Sequence, residues 1–114
     1  MATGTKQVFH YDTLLAKTSI TGNSTKTLSE DVGNYDFVCV TVFDGTGSNA
    51  NGMTYYIPKP LYGEINKVQI PATDSTAFYI RTTVQLSGTT ATISNYARAG
   101  YGGCAMQIVG ARIP

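Results

Sequence analysis

The chain has no tryptophan, one histidine and two cysteines among its 114 residues. Each scarcity narrows the field. A lone histidine, His10, cannot build a metal site of the usual His/Cys spacing. The cysteines, Cys39 and Cys104, stand in apolar, strand-like contexts, and no export signal implies an oxidising compartment. They read as small hydrophobes with free thiols. Charge is scarce as well: charged residues make up 13% of the chain, about half the usual share, and the net charge is +1. Such a balance has no field to steer nucleic acid or anionic lipid. No apolar run approaches the ~20 residues that span a bilayer. The opening "MATGTKQVFHYD" has no apolar core of a secretory signal. Nucleic-acid binding and membrane insertion are therefore not expected.

What is present is uncharged polarity. The chain holds 17 Thr, 7 Ser and 12 Gly, with eight Tyr and four Phe. Threonine and the aromatics fit a pleated surface, and glycine supplies turns. No segment shows a helical period. Alternating runs recur instead, split by Gly, Asn, Asp and Pro. They are "QVFHYDTLLAKTSI", "KTLS", "YDFVCVTVFD", "MTYYIP", "NKVQIP", "AFYIRTTVQLS", "GTTATISN" and the closing run from Cys104 to Ile113. About eight short strands at this spacing predict an antiparallel β-sandwich, jelly-roll-like, over residues 13–114, with residues 1–12 as an N-terminal extension. "EDVGNYD" is expected to turn, with a Gly33–Asn34 pair that tolerates positive φ, and Asn51–Gly52 fits a turn with φ > 0.

One strand is unusual. In "DFVCVTVF", Val38, Val40 and Val42 share one face while Phe37, Cys39 and Phe43 share the other. A sheet open to water on one side shows polar residues there. One apolar face must fill the core. The other needs cover from the chain's own loops or from a neighbouring subunit. Phe37, Val38, Val40, Val42 and Phe43 are thus candidate oligomer-interface residues, and which face does which remains open at this level.

Catalytic signals are weak. His10 and Asp12 could share a strand face, but no motif ties a nucleophile to them. The seven carboxylates fall mostly at turns, where Asp caps its own backbone. "DGTGSNANG" from Asp44 lacks the spaced acids and closing Glu of an EF-hand. "GYGG" at Gly100 lacks the Lys–Ser/Thr of a phosphate loop. No catalytic group, metal or cofactor is expected. "NYARAGY" does stand out, because Tyr96, Arg98 and Tyr101 share one segment with small residues between them. Tyr and Arg carry binding energy at interfaces and suit sugar rings. They are the first candidates for ligand or partner contact. Asp44, Asn49 and Asn51 form a second candidate loop.

"TLLAKTSITGNSTKTLSEDVGNYDFVCVTV" resembles the start of C-terminal head domains of bacteriophage tail-fibre and head-fibre proteins. The residues that carry the likeness are Leu14, Leu15, Leu28, Asn34, Tyr35, Asp36, Phe37 and Val38. "YIP", "TATIS" and the closing "MQIVGARIP" are similar to later strands of that type, whose Ile–x–Gly strand stands here as Ile108, Val109 and Gly110. The likeness spans about residues 13 to 113. It implies a non-enzymatic homotrimeric head in a virion, assembled in the bacterial cytoplasm, for attachment to a host cell-surface glycan or for contact with other virion proteins. The full-length fibres carry a long shaft before this domain, whereas only residues 1–12 precede it here, and an early Trp common in the type is missing. These departures favour a small capsid-decoration or head-fibre protein, or an excised head. A carbohydrate-binding module is the remaining alternative.

Overall fold

The computed structural model describes residues 10–20, 22–44, 51–71, 78–98 and 104–113. They form eight strands: β1 (His10–Ile20), β2 (Ser24–Thr27), β3 (Phe37–Asp44), β4 (Asn51–Pro58), β5 (Asn66–Pro71), β6 (Phe78–Ser87), β7 (Thr90–Arg98) and β8 (Cys104–Arg112). The first sheet has the order β1-β8-β3-β4 and the second β2-β7-β6-β5. Every neighbouring pair is antiparallel. The fold is an all-β antiparallel sandwich, as the alternating runs predict.

Three boundaries differ from the sequence reading. β1 begins at His10, paired with Arg112, so three residues assigned to the N-terminal extension belong to the sheet. Asn51 and Gly52 lie inside β4, opposite Asp44 and Phe43, rather than in a turn. Gly33 sits in a 3-10 turn, Val32–Asn34, where its own amide donates to the Asp31 side chain; its φ is not positive. Among the described residues the left-handed glycine is Gly88, at φ 57°, in the β6–β7 turn, where a side chain would be strained.

Alternation on both sheets feeds one core. Val38, Val40, Val42, Met106 and Ile108 come from the first sheet; Val68, Val84, Leu86, Ala91 and Ile93 come from the second. All ten are at most 1% exposed. β3 is central in its sheet, which explains why its valine face is fully covered.

The two ends of the sandwich differ. At one end, Ile20, Asp44, Asn51 and Cys104 come together by register, so β1, β3, β4 and β8 all start or stop there. β7 runs toward the same end, since it feeds β8. At the other end His10 pairs with Arg112, which brings the first and last described strand ends side by side.

That second end is tied by a compact network. The Tyr35 ring lies flat on β8 at Gly110, where an added Cβ would stand 2.7 Å from ring carbons. The Arg112 guanidinium sits 4.5 Å from the same ring's centre. The Tyr35 hydroxyl donates to Glu30 Oε2 at 2.8 Å. Asp36 N–H donates to Ala111 O at 2.9 Å, and Asp36 Oδ2 accepts from the Ile113 amide at 2.7 Å. The Tyr62 hydroxyl donates to Tyr35 O at 3.0 Å, while Leu86 N–H donates to Tyr62 O at 2.8 Å, which joins the network to the second sheet. The closing strand is held by the Asn34–Tyr35–Asp36 turn, so it does not fray.

Two predictions follow from this end. Gly110→Ala forces the Tyr35 ring or β8 to move, and overpacking of this kind costs about 1–3 kcal/mol. Urea unfolding should show a lower midpoint at an unchanged slope; an unchanged midpoint would mean that the ring shifts freely. Burial first, and the nearby Asp36 and Tyr56 second, push the Tyr62 phenol well above its ordinary value. With the folded value raised, the unfolded chain loses this proton first, so stability is full below pH about 10 and falls as pH rises further. Tyr62→Phe should lower stability at neutral pH and flatten that alkaline decline. A variant whose alkaline decline matches the parent's would assign the decline to other groups.

Candidate functional site

The outer faces of the two sheets are unlike. On the first sheet, register aligns Leu14, Val109, Cys39 and Tyr56 in one row across all four strands. Leu14 is 52% exposed and Tyr56 60%. The next row is Lys17, Gln107, Thr41 and Thr54, with the two threonine hydroxyls 2.9 Å apart. Ser19, Ala105, Phe43 and Gly52 form the third. Among the described side chains in these rows, Lys17 is the single charge. The outer face of the second sheet is instead built of hydroxyls, amides and cations, including Thr25, Thr92, Thr83, Gln85, Lys67 and Arg81. Thr25, Thr27, Thr83, Thr90 and Thr92 all lie on this face by register.

This geometry corrects the interface expected from sequence. Val38, Val40 and Val42 are 0% exposed and fill the core between the sheets, so they cannot meet another subunit. Phe37 belongs to the outer face but is 2% exposed, because the Tyr56 ring packs over it at 4.6 Å between centroids, tilted 48°. Phe43 is half-buried on the outer face, as is Cys39. The residues that this surface offers most openly, Leu14 and Tyr56, were not singled out. Tyr56 follows Tyr55, and alternation puts one ring inward and one outward; only the register with Cys39 shows which lies on the apolar row.

The tyrosine–arginine segment is also placed differently. Tyr96 and Arg98 belong to β7, with Arg98 opposite Ile80, so they are strand residues and not loop residues. Tyr101 lies outside the described residues. In the second candidate loop, Asp44 and Asn51 are a cross-strand pair that closes the β3–β4 hairpin; Asn49 lies outside the described residues. Asp44 and Asn51 stand at the end of the sandwich opposite His10 and Arg112. His10 is a β1 residue at the Arg112 end.

Among the described residues no three of His, Cys, Asp and Glu gather where a metal could be held, and no buried side-chain polar atom lacks a partner. Cys39 is a free thiol, and burial raises its pKa. It faces Val109, whereas Cys104 faces Asp44, five positions away on the same strand pair. At ~3.3 Å per residue that is roughly 16 Å, far beyond the ~7 Å limit between Cα atoms for a disulfide. No protein-family model matches the chain, and neither does any curated protein.

Thiol titration of the denatured chain without reductant should find two thiols. Recovery of none would require a bond between copies, and a mass of two linked chains under non-reducing conditions would reveal it.

Proposed function

We propose that the chain is a non-enzymatic structural module of a virion: a homotrimeric β-sandwich head of a bacteriophage tail or head fibre. The observation that carries this reading is the row Leu14, Val109, Cys39 and Tyr56 on the outer face of the first sheet, largely apolar across four strands, with Lys17 the single charge among the described side chains of the rows beside it. Monomers rarely leave such a face to water.

The sheet's width favours three copies. Four strands at ~4.8 Å spacing make a face about 19 Å across. Three such faces set as a triangular prism put the threefold axis roughly 5.5 Å from each sheet. That is about half the ~10 Å at which sheets pack face to face, so side chains from three copies meet at the axis without a void. Leu14, Val109, Cys39 and Tyr56 then line the prism. The hydroxyl-rich second sheet faces water. The end bearing Asp44, Asn51 and the end of β7 points away from the end bearing His10, the polarity a head needs if it is attached at one end and presents its contacts at the other. The Asn34–Tyr35–Asp36 turn and the Ile108–Val109–Gly110 strand, the residues of the fibre-head likeness, meet in one contact, which supports reading them as parts of a single design.

Light scattering on the purified chain should give three times the 12.2 kDa chain mass. Val109→Lys, on the central strand β8, places a charge at an axis that cannot solvate it and should return the mass to that of the monomer while circular dichroism keeps its β signal. A monomer at micromolar concentration for the parent chain would overturn the reading.

A further inference from the structure

Four strands end the two sheets: β1 and β4 in the first, β2 and β5 in the second. Free edges invite pairing with other chains, and folds blunt them. β2 is only four residues long. β5 is held at Gln69, where the Tyr55 hydroxyl donates to the carbonyl at 2.6 Å and accepts from the amide at 3.2 Å. β1 is held by Ser29, whose amide donates to Leu15 O at 2.9 Å and whose hydroxyl donates to Leu14 O at 3.0 Å. β4 has no such device. It runs eight residues without a charged side chain, and among the described residues no hydrogen bond reaches its backbone from outside its pairing with β3.

The outer face of the first sheet leads to the same edge. Its most exposed large apolar side chains, Leu14 and Tyr56, stand on its two edge strands, β1 and β4. Register puts both in one row. The next row ends in Lys17 on β1 and Thr54 on β4. Lys17 is exposed, and its ammonium has no partner among the described residues. The two ends of a row are three strand spacings apart, about 14 Å, so Leu14 and Tyr56 do not meet inside one copy.

A ring of copies brings these ends together. Rotation about an axis that runs along the strands carries each face to the next without changing its height. β4 of one copy then stands beside β1 of the next, each row against the matching row. Unlike edges meet all the way round, so no edge of the first sheet is left over when the ring closes.

We infer that the subunit contact is a head-to-tail seam between β4 of one copy and β1 of the next, an inference that rests on the three-copy reading above. Tyr56 of one copy packs on Leu14 of the next. Lys17 of the next copy donates to the Thr54 hydroxyl, which keeps a lone pair beside its 2.9 Å bond to Thr41. Ser29 already takes the β1 carbonyls at Leu14 and Leu15, so the seam there is made by side chains and not by a continued ladder. Apolar meets apolar in one row and polar meets polar in the next, which fixes the height of each copy against its neighbour.

The test is oxidative cross-linking of the full chain. Cys39 is first replaced by serine, because it lies directly opposite Tyr56 and would capture a thiol placed there within the copy. In the Cys39→Ser chain, Leu14→Cys with Tyr56→Cys should give three linked chains and nothing larger on denaturing electrophoresis without reductant. A bond inside one copy would have to span about 14 Å, against a limit of ~7 Å between Cα atoms. Either substitution alone should run as one chain. A linked pair from a single substitution would mean that like edges meet, and would overturn the seam. So would a double variant that scatters light as a trimer and forms no link, an outcome that leaves the three-copy reading standing; a monomeric parent chain removes both. Variants at Thr54 need no cysteine. Thr54→Glu should raise the melting temperature of the trimer at low salt by pairing with Lys17, Thr54→Lys should lower it, and Lys17→Glu with Thr54→Lys should restore it. Shifts of one sign for Glu and Lys at this position would overturn the seam as well.

Discussion

The packing of the Tyr35 ring on Gly110 is the constraint around which the rest of the fold is arranged. A ring can lie this close to a strand only where that strand has no Cβ. The contact sets the height at which the β2–β3 connection crosses back to the first sheet. It also sets the register in which β3 meets β8, because Asp36, the next residue, bonds to Ala111 and Ile113. From Asp36 onward alternation does the work: Val38, Val40 and Val42 turn inward, and Phe37, Cys39 and Phe43 turn outward. A one-residue slip would exchange these sets. The apolar row on the outer face therefore depends on a contact at the end of the sandwich.

The two outer faces show how a chain of low charge divides its polarity. Uncharged hydroxyls give the second sheet a face that water can cover without a strong field. The first sheet keeps no charge in its row from Leu14 to Tyr56, and the Tyr56 phenol is the one hydroxyl in it. Edge strands invite pairing with other chains, and the Tyr55 hydroxyl blunts β5 by holding both polar groups of Gln69. Association by added strands is thus opposed at that edge, while association through an apolar face is left open at the opposite sheet.

Much of the fold was legible in the sequence because alternation and turn residues are local signals. The strand over Asn66–Pro71 is bounded by residues that forbid continuation, and "NKVQIP" marks it to the residue. The doubly apolar run at Phe37–Phe43 announced a strand that must be covered on both sides. What could not be read was register. Nothing local says that Cys39 lies opposite Tyr56 on one side and Val109 on the other, so the apolar row was visible only one strand at a time. The same gap hid the pairing of Lys67 with Thr83 and Gln69 with Arg81. "NYARAGY" misled for a different reason: glycine and small residues suggest a loop, but the ladder with β6 carries β7 on through Arg98. Gly33 lies in a turn as its neighbours suggest, and the Asp31 side chain stabilises that turn without positive φ.

The asymmetry of the two ends bears on where evolution could alter such a module without unfolding it. The end with Tyr35, Asp36, Tyr62 and Gly110 is closed by hydrogen bonds between residues far apart in sequence, so a change there disturbs several partners at once. The strand ends at Ile20, Asp44, Asn51 and Cys104 meet as ladder pairs. Connections leaving such strand ends can vary in length and chemistry at little cost to the core. Variation is tolerated best at that end and on the polar outer sheet, whereas Tyr35 and Gly110 must change as a pair.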